Sequence, residues 1–283
     1  MSGADTLGAL VQAYVETQCG VLLEARAAII ARDEDLVHPA RVAIRRLRAT
    51  LRSFGAVYDA DDRSDFADEL RWAANLLGDV RDLQVLAERF GTEDAAAAPD
   101  AHRVIAEEIE RNRAEAWSRV VDALGSGRGT TLFETVARWR DDPPFTPKAE
   151  RPADRARRRV DKADARVDRR LARARAASDA GSTDTRELLH DARKAAKRHR
   201  YAVELAQPVL GAKAERTIER RQALQDALGE HQDAVVALAF LQRIEVGAQD
   251  REAASVVLEL IARARASADD VAGVLRETER LRD

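Results

Sequence analysis

The amino-acid sequence predicts an all-α protein made of two similar halves, and three observations support this. Charged residues make up 34% of the chain and aromatic residues only 4%, and this mixture, rich in Ala, Leu, Glu and Arg, favours helix. Apolar residues recur at helical spacing, whereas few segments show the alternation typical of strands. Two blocks of sequence also occur twice, in the same order. We therefore expect a duplicated helical unit with about four main helices in each half.

The positions of the helices follow from apolar periodicity and from breaks rich in Gly, Pro and Asp. The proline cluster at 143–147 predicts a boundary between a first half, 1–145, and a second half, 146–283. Thr183 or Asp184 is expected to cap the second helix after this cluster. The predicted helices cover residues 5–33, 38–58, 63–90, 101–124, a short 131–141, then 152–178, 184–208, 212–245 and 250–281.

The duplication is seen most clearly in two matched blocks. "HPARVAIRRLR" at 38–48 and "HDARKAAKRHR" at 190–200 align with an offset of 152 residues. "LLGDVRDLQVL" and "ALGEHQDAVVAL" then align Gly78 with Gly229 and Asp82 with Asp233, at an offset of 151. Order and spacing are both preserved, which two chance matches would not produce.

Each histidine block places cations along one edge of a helix, although the net charge of the chain is only −3. At about 100° per residue, Arg41, Arg45, Arg48 and Arg52 fall with His38 within an arc of roughly 80°. Stacked cations repel one another, so an anion is expected to compensate them. Salt bridges to Asp79, Asp82, Glu230 and Asp233 are one explanation. A second explanation is that the two duplicated stripes face each other and form an elongated anion-binding groove or pore.

A third basic element lies at 151–175, which holds eleven Arg or Lys residues against four Asp. Its cations recur every three or four residues, as on one face of a helix. We expect the inner ones, Arg159, Lys162 and Arg166, to extend the groove. The alternative is a solvated outer face.

His38 and His190 stand at the same end of the two stripes. As metal ligands they lack companions in their own segments. As phosphate ligands they fit, because an imidazolium beside a polyanion has a raised pKa and donates two hydrogen bonds. Phosphorylated histidines are a third explanation, which the adjacent cations make less suitable. His199 takes the apolar position of Leu47 and is expected in the core or at its boundary, and His102 is expected to be an exposed residue at a helix start.

Several classes of function are disfavoured. Cys19 is the only cysteine, so no intramolecular disulfide and no cysteine metal cluster is expected. The sequence shows no secretory leader and no stretch of roughly 20 apolar residues for a membrane span, and it predicts a cytoplasmic protein. No catalytic motif or cofactor-binding loop stands out, so no enzyme activity, cofactor or metal is expected. Nucleic acid is disfavoured as a ligand, because only Tyr201 stands near the stripes to stack a base.

These blocks make the chain resemble the CHAD family, the conserved histidine α-helical domain. The resemblance rests on "VHPARVAIRRLRATLRSF" and "LLGDVRD" in the first half, and on "LLHDARKAAKRHRYAVEL" and "LGEHQDAVV" in the second. It implies two four-helix bundles related by a pseudo-two-fold axis, with a basic channel between them. It also implies binding of inorganic polyphosphate and association with polyphosphate granules. The chain departs from the family at His199, where a leucine is usual, and at Ala40 and Ala192, where larger apolar residues are common. A CYTH domain, which precedes many relatives, is not expected in this chain.

By position, the resemblance implies a set of polyphosphate-binding residues. Arg81 and Asp82 are interpreted as structural, with a salt bridge that holds a stripe arginine. The expected function is a granule-associated or targeting module. The alternatives are a histidine phosphotransfer or polyphosphate-acting enzyme, and a nucleic-acid-binding scaffold. The predicted ligand set, including the second-tier and third-element residues, is His38, Arg41, Arg45, Arg46, Arg48, Arg52, His190, Arg193, Lys194, Lys197, Arg198, Arg200, Arg159, Lys162 and Arg166.

Overall fold

The computed structural model describes residues 5–91, 98–246 and 250–281. Within these ranges the chain forms ten α-helices and no strand longer than an isolated bridge, so the all-α prediction is confirmed. The helices are α1 (Leu7–Ile30), α2 (Val37–Ser53), α3 (Ala60–Gly91), α4 (Pro99–Gly125), α5 (Gly127–Asp141), α6 (Ala156–Asp179), α7 (Thr185–Leu210), α8 (Lys213–Leu241), α9 (Arg251–Asp269) and α10 (Val271–Arg280).

The last predicted helix is two helices, because Asp270 starts a new one. Its side chain accepts a hydrogen bond from the backbone N–H of Gly273 at 2.8 Å. Ser126 accepts in the same way from Gly129 at 3.3 Å, at the start of α5. Such caps satisfy backbone donors that have no partner in the first turn. Within the described ranges each half therefore contains five helices, one more than the main helices that the sequence predicts.

Other boundaries differ in smaller ways. Helix α2 ends at Ser53 and not near Tyr58, and a short 3-10 segment follows at Gly55–Val57. A Cβ on Gly55 would approach the Arg63 side chain to 2.7 Å, so any larger residue at this turn would displace Arg63. Asp184 precedes α7, but its side chain makes no capping bond. The break predicted at 91–100 falls largely on residues 92–97, outside the described ranges.

The apolar side chains form three clusters. The first joins α1 to α5 and includes Val203 and Ala206 of α7. The second lies within the other half, between α6, α7, α8 and α10. The third packs the distal ends of α3 and α4 on those of α8 and α9, with Phe90 stacked on Phe240. Each fully buried Leu, Ile or Phe stabilises the fold by about 1.5–3 kcal/mol.

The two halves therefore meet where α1 and α2 pack on α6 and α7, and where the tips of the two helical hairpins pack together. Both histidine helices take part in the first contact. This brings the two cationic stripes to the junction of the halves. None of the helices in the described ranges combines the length and apolar character needed to cross a membrane.

Candidate ligand-binding cleft

Two adjoining basic clefts open beside the α2–α7 contact. The first has a volume of about 320 Å³ and the second about 120 Å³. Both are lined by Arg52 and Arg198, so they form one continuous surface across α2, α7 and α6. Among the described residues, the lining of the two clefts includes no Asp or Glu. Its nine cations are Arg45, Arg48, Arg52, Lys194, Lys197, Arg198, Arg159, Lys162 and Arg166.

The electrostatics of this surface show that its positive charge is not balanced from within. Burial first, and then the neighbouring Arg193 and Arg45, lower the pKa of Lys197 to about 7. The pKa of Arg198 is lowered by burial and then by Arg52. In the part of the chain that the structure describes, none of the six cations that α2 and α7 contribute to the lining forms a salt bridge with a carboxylate. Burial and like charges disfavour the charged forms of Lys197 and Arg198 in the free protein, and a bound anion would stabilise them.

Unsatisfied donors surround the same region. The Nη1 of Arg41, the Nε of Arg45 and the Nε of Arg193 are buried and have no hydrogen-bond partner among the described residues. Buried donors without a protein partner are rare in folded proteins, and such donors commonly face a bound ion or water. The three arginines come from both halves. An anion held between the halves would therefore contact both copies of the stripe.

Arg41 and Arg193 are held by equivalent contacts on α3 and α8, beside the clefts and not in their lining. A Cβ on Gly78 would lie 2.9 Å from Nη1 of Arg41, and a Cβ on Gly229 would lie 3.5 Å from a nitrogen of Arg193. The repeated glycine thus lets each guanidinium approach the next helix closely. The sequence shows the repeat of this glycine but gives no reason for it, because the reason depends on how the helices cross.

The acidic residues compensate only part of the stripe. Asp82 pairs with Arg41 at 3.6 Å, as one interpretation of the sequence predicts. Asp79 instead pairs with Arg119 at 3.2 Å, away from the stripe. The pKa of Asp82 is raised, by burial first and also by Asp79 and Asp233, although Arg41 opposes this. Arg81 bonds to Glu88 at 3.0 Å on its own helix and does not hold the stripe.

Arg46 and Arg200 of the predicted ligand set are turned away from the clefts. Arg46 donates from Nε to Glu204 at 2.9 Å, and Nε of Arg200 lies 3.5 Å from the same carboxylate. The hydroxyl of Tyr14 donates to Glu204 at 3.0 Å. Tyr14 and Arg46 therefore hydrogen-bond one largely buried carboxylate, and Arg200 lies beside it as an ion pair while its Nη1 donates to Gln222. Arg46 and Arg200 lie on the opposite flanks of their helices from the open cleft.

The two stripe histidines have similar positions and different partners, and neither belongs to the lining of the clefts. Nδ1 of His190 lies 2.8 Å from Oε1 of Gln232, which can only accept, so this nitrogen carries the proton. The pKa of His190 is lowered, mainly by burial and then by Lys194. Burial and then Arg81 lower the pKa of His38. In the free protein both imidazoles thus stay neutral at pH 7, unlike the imidazolium expected beside a bound polyanion.

His199 lies in the core, as predicted, with 1% of its surface exposed. Its Nδ1 accepts from Nε of Arg221 at 2.9 Å, and Arg221 also bonds to Asp164. Burial lowers the pKa of His199 to about 4, so the ring is a neutral acceptor at pH 7. The prediction of an exposed His102 is wrong: this residue is half-buried, and its Nδ1 lies 3.0 Å from the carbonyl of Ala98. The first turn of α4 covers it in part.

Together these features define an all-α protein in which two helical halves present a cationic cleft at their junction. Comparison with known proteins identifies its family. The model of the CHAD domain family matches residues 13–242. The chain belongs to this family, which is linked to polyphosphate binding.

Two curated sequences are also similar to this chain. An uncharacterized protein of Mycobacterium tuberculosis (strain CDC 1551 / Oshkosh) is 30% identical over 216 residues, or 73% of this chain and 40% of that protein. An uncharacterized protein of the strain ATCC 25618 / H37Rv matches with the same figures. The chain thus spans 40% of the length of the curated relatives that it matches.

Two solved structures share the fold. PptA from Streptomyces chartreusis superposes with a TM-score of 0.75 at 21% identity, covering 98% of this chain and all of that one. The CHAD domain from the plant Ricinus communis superposes with a TM-score of 0.74 at 25% identity, covering 98% of this chain and 93% of that one. Both similarities extend over nearly the whole chain.

Proposed function

We propose that this chain binds inorganic polyphosphate as a non-enzymatic module. The observation that carries the proposal is the continuous cleft. Among the residues that the structure describes, its lining has nine cations and no carboxylate. Arginine guanidinium groups bind phosphate oxygens bidentately, and lysines act as point charges. The membership of the CHAD family supports the same ligand. We further propose that binding places the protein at polyphosphate granules in the cytoplasm.

The chemistry of the cleft favours a ligand made of phosphate alone over nucleic acid. Sequence-tolerant binding of single strands uses aromatic side chains that stack on bases. Among the described residues, Tyr201 is the one aromatic residue in the lining of the two clefts, and only 2% of its surface is exposed. Arg200 and Arg46 cover its ring at 5.0 and 5.8 Å. A base has no exposed ring to stack on here, whereas a phosphate chain needs none.

The alternative is a histidine phosphotransfer or polyphosphate-acting enzyme. Nε2 of His190 has no hydrogen-bond partner among the residues that the structure describes, while Nδ1 donates to Gln232. Lys194 and Arg193, close to this ring, suit lasting retention of an anion better than its transfer. Acid-labile phosphate on His38 or His190, or release of orthophosphate from polyphosphate, would support the enzyme instead.

The test is a competition titration in which labelled long-chain polyphosphate is displaced by polyphosphate, RNA or DNA of matched phosphate length. We expect polyphosphate to compete at least about tenfold better than either nucleic acid. Affinity should fall steeply with salt, by analogy with counterion release from nucleic acid. The Arg45→Glu, Lys197→Glu variant should lose about a hundredfold or more, since two central cations are reversed.

The matched control for this variant is Arg111→Glu, Arg265→Glu, which also reverses two charges, at exposed positions of α4 and α9 that line neither cleft. Its affinity should equal that of the wild-type protein. Equal competition by all polyanions would reduce the cleft to a general basic surface. No binding at any salt concentration would exclude the proposed function.

A further inference from the structure

The internal symmetry of the chain makes the two sides of the α2–α7 contact directly comparable. With an offset of 152 residues, Arg52 corresponds to Glu204 and Arg46 to Arg198. The pair formed by Arg52 and Arg198 on one side is therefore the symmetry mate of the pair formed by Glu204 and Arg46 on the other. On one side two cations face each other, and on the other side a cation faces a carboxylate.

The first side is open and cationic. Arg52 and Arg198 line both clefts, and their mutual repulsion adds to burial in lowering the pKa of Arg198. Arg48 lies in the same lining, and burial followed by Arg52 lowers its pKa. On α6, a row of three cations continues the surface away from the α2–α7 contact: Arg159, Lys162 and Arg166.

The second side is closed by Glu204. This side chain is only 15% exposed and lies within 2.9 to 3.5 Å of donors from Tyr14, Arg46 and Arg200. Arg200 is the counterpart of Arg48, which remains in the open cleft. Burial and the adjacent Glu204 raise the pKa of Tyr14, so its hydroxyl stays a donor. The carboxylate thus accepts the bonds that a phosphate group would accept on the open side.

We infer that polyphosphate binds along only one of the two symmetry-related sides, the one formed by α2, α7 and α6, and that Glu204 excludes it from the other. This rests on the proposed function. Anionic ligands are repelled by a fixed carboxylate and lose the guanidinium group of Arg46 that it already binds, while Arg200 is held by Gln222 and by its ion pair with the carboxylate. Glu204 is thus a specificity-determining residue that contacts no ligand and restricts where the chain can run.

The first experiment compares variants of the two sides in the competition titration. The double variant Arg52→Gln, Arg198→Gln removes two cations of the open side. It should weaken polyphosphate binding by about a hundredfold. Arg46→Gln removes one partner of Glu204 and should leave affinity within about threefold of wild type. An equal loss in both would overturn the inference, and so would a larger loss in Arg46→Gln.

The second experiment copies the closed side onto the open one. Arg52→Glu places a carboxylate opposite Arg198, as Glu204 stands opposite Arg46. We expect binding to fall by about a hundredfold while the melting temperature is kept or raised, which separates loss of the site from loss of the fold. Glu204→Gln should make the slope of log affinity against log salt steeper by about one, because Arg46 becomes available. An unchanged affinity in Arg52→Glu would contradict the inference.

A measurement on the unmodified protein gives an independent answer. Hydrogen–deuterium exchange with and without polyphosphate should show protection in α6 and no change in the part of α1 that carries Tyr14. Protection on both sides would overturn the inference and leave the proposed function intact. A wild-type protein that fails to bind polyphosphate in the titration would instead exclude the function itself.

Discussion

The two copies of the histidine helix agree closely where they approach the junction of the halves, and differ elsewhere. Both keep a histidine, then an arginine that packs against a glycine of the next helix. They differ at Leu47 and His199, which face the core of each half. They also differ at Arg52 and Glu204, on the flank of the helix. The two copies are therefore alike in the residues at the junction of the halves. They differ in the residues that face the core and in those on the flank of the helix.

The difference with the greatest effect on binding concerns the central pair of cations, which is Arg45 in one copy and Lys197 in the other. Burial and nearby arginines lower the pKa of Lys197 to about 7 in the free protein, and a bound polyanion would raise it. Between pH 7 and that raised value, binding takes up a proton. Polyphosphate affinity should therefore fall as pH rises above 7, by up to about tenfold per pH unit. Below pH 7, Lys197 is charged in both the free and the bound protein, so it adds no pH dependence to the affinity.

The matched control is Lys197→Arg, which makes the two copies identical at this position and keeps the charge at every pH tested. Its affinity should be nearly constant between about pH 7 and 9, because arginine does not titrate there. A titration series at constant ionic strength measures both proteins. The same slope in the variant would show that Lys197 is not the titrating group.

A second effect concerns the repeated glycine. In Gly78→Ala the new methyl group would meet Arg41 at 2.9 Å, whereas in Gly229→Ala the contact with Arg193 is an ordinary 3.5 Å. Gly78→Ala should displace Arg41 and weaken polyphosphate binding by about tenfold, or about 1.4 kcal/mol. Gly229→Ala should bind normally and gain up to about 1 kcal/mol of helix stability. Titration and thermal melting measure the two effects, and equal behaviour of the variants would refute the asymmetry.

A third effect appears in stability alone. His199→Leu restores the residue type of the first copy, but it removes the acceptor of a buried Arg221 donor. Leaving that donor unsatisfied should destabilise the fold by about 1–3 kcal/mol, with polyphosphate affinity unchanged. Since the folded pKa of His199 is about 4, against an ordinary value of 6.5, its contribution is present above pH 6.5 and is lost as pH falls toward 4. The difference in melting temperature should narrow over that range, and a constant difference would exclude the role as neutral acceptor.

The smallest effect distinguishes the two equivalent histidines of the repeat. Gln232 bonds to His190 and stabilises its charged form, while the corresponding Arg81 opposes the charge on His38. Gln232→Leu should lower the pKa of His190 further and leave that of His38 unchanged. Nuclear magnetic resonance titration of the imidazole groups measures both. A shift at His38 would mean that the two rings are coupled across the junction.

Much of the fold could be predicted from the sequence, because periodicity and the duplicated blocks are local signals. The helical edge shared by Arg159, Lys162 and Arg166 could be predicted in the same way, but not that this edge of α6 lines the cleft, because that depends on how α6 packs on α7. The start of α10 could not, because it depends on the side chain of Asp270 closing a new first turn. The role of Glu204 could not be predicted either. It depends on which flank of α7 meets α1 and α2, and this follows only from how the three helices pack.

The exchange of Arg52 for Glu204 has a consequence for how such a molecule can arise. In a homodimer of identical halves, both positions would carry the same residue, and the two sides of the contact would be equally open or equally closed. Joining the halves in one polypeptide removes that constraint, because each position can then change alone. The covalent link between the copies thus permits a binding surface with a direction, which no symmetric pair of identical subunits could have.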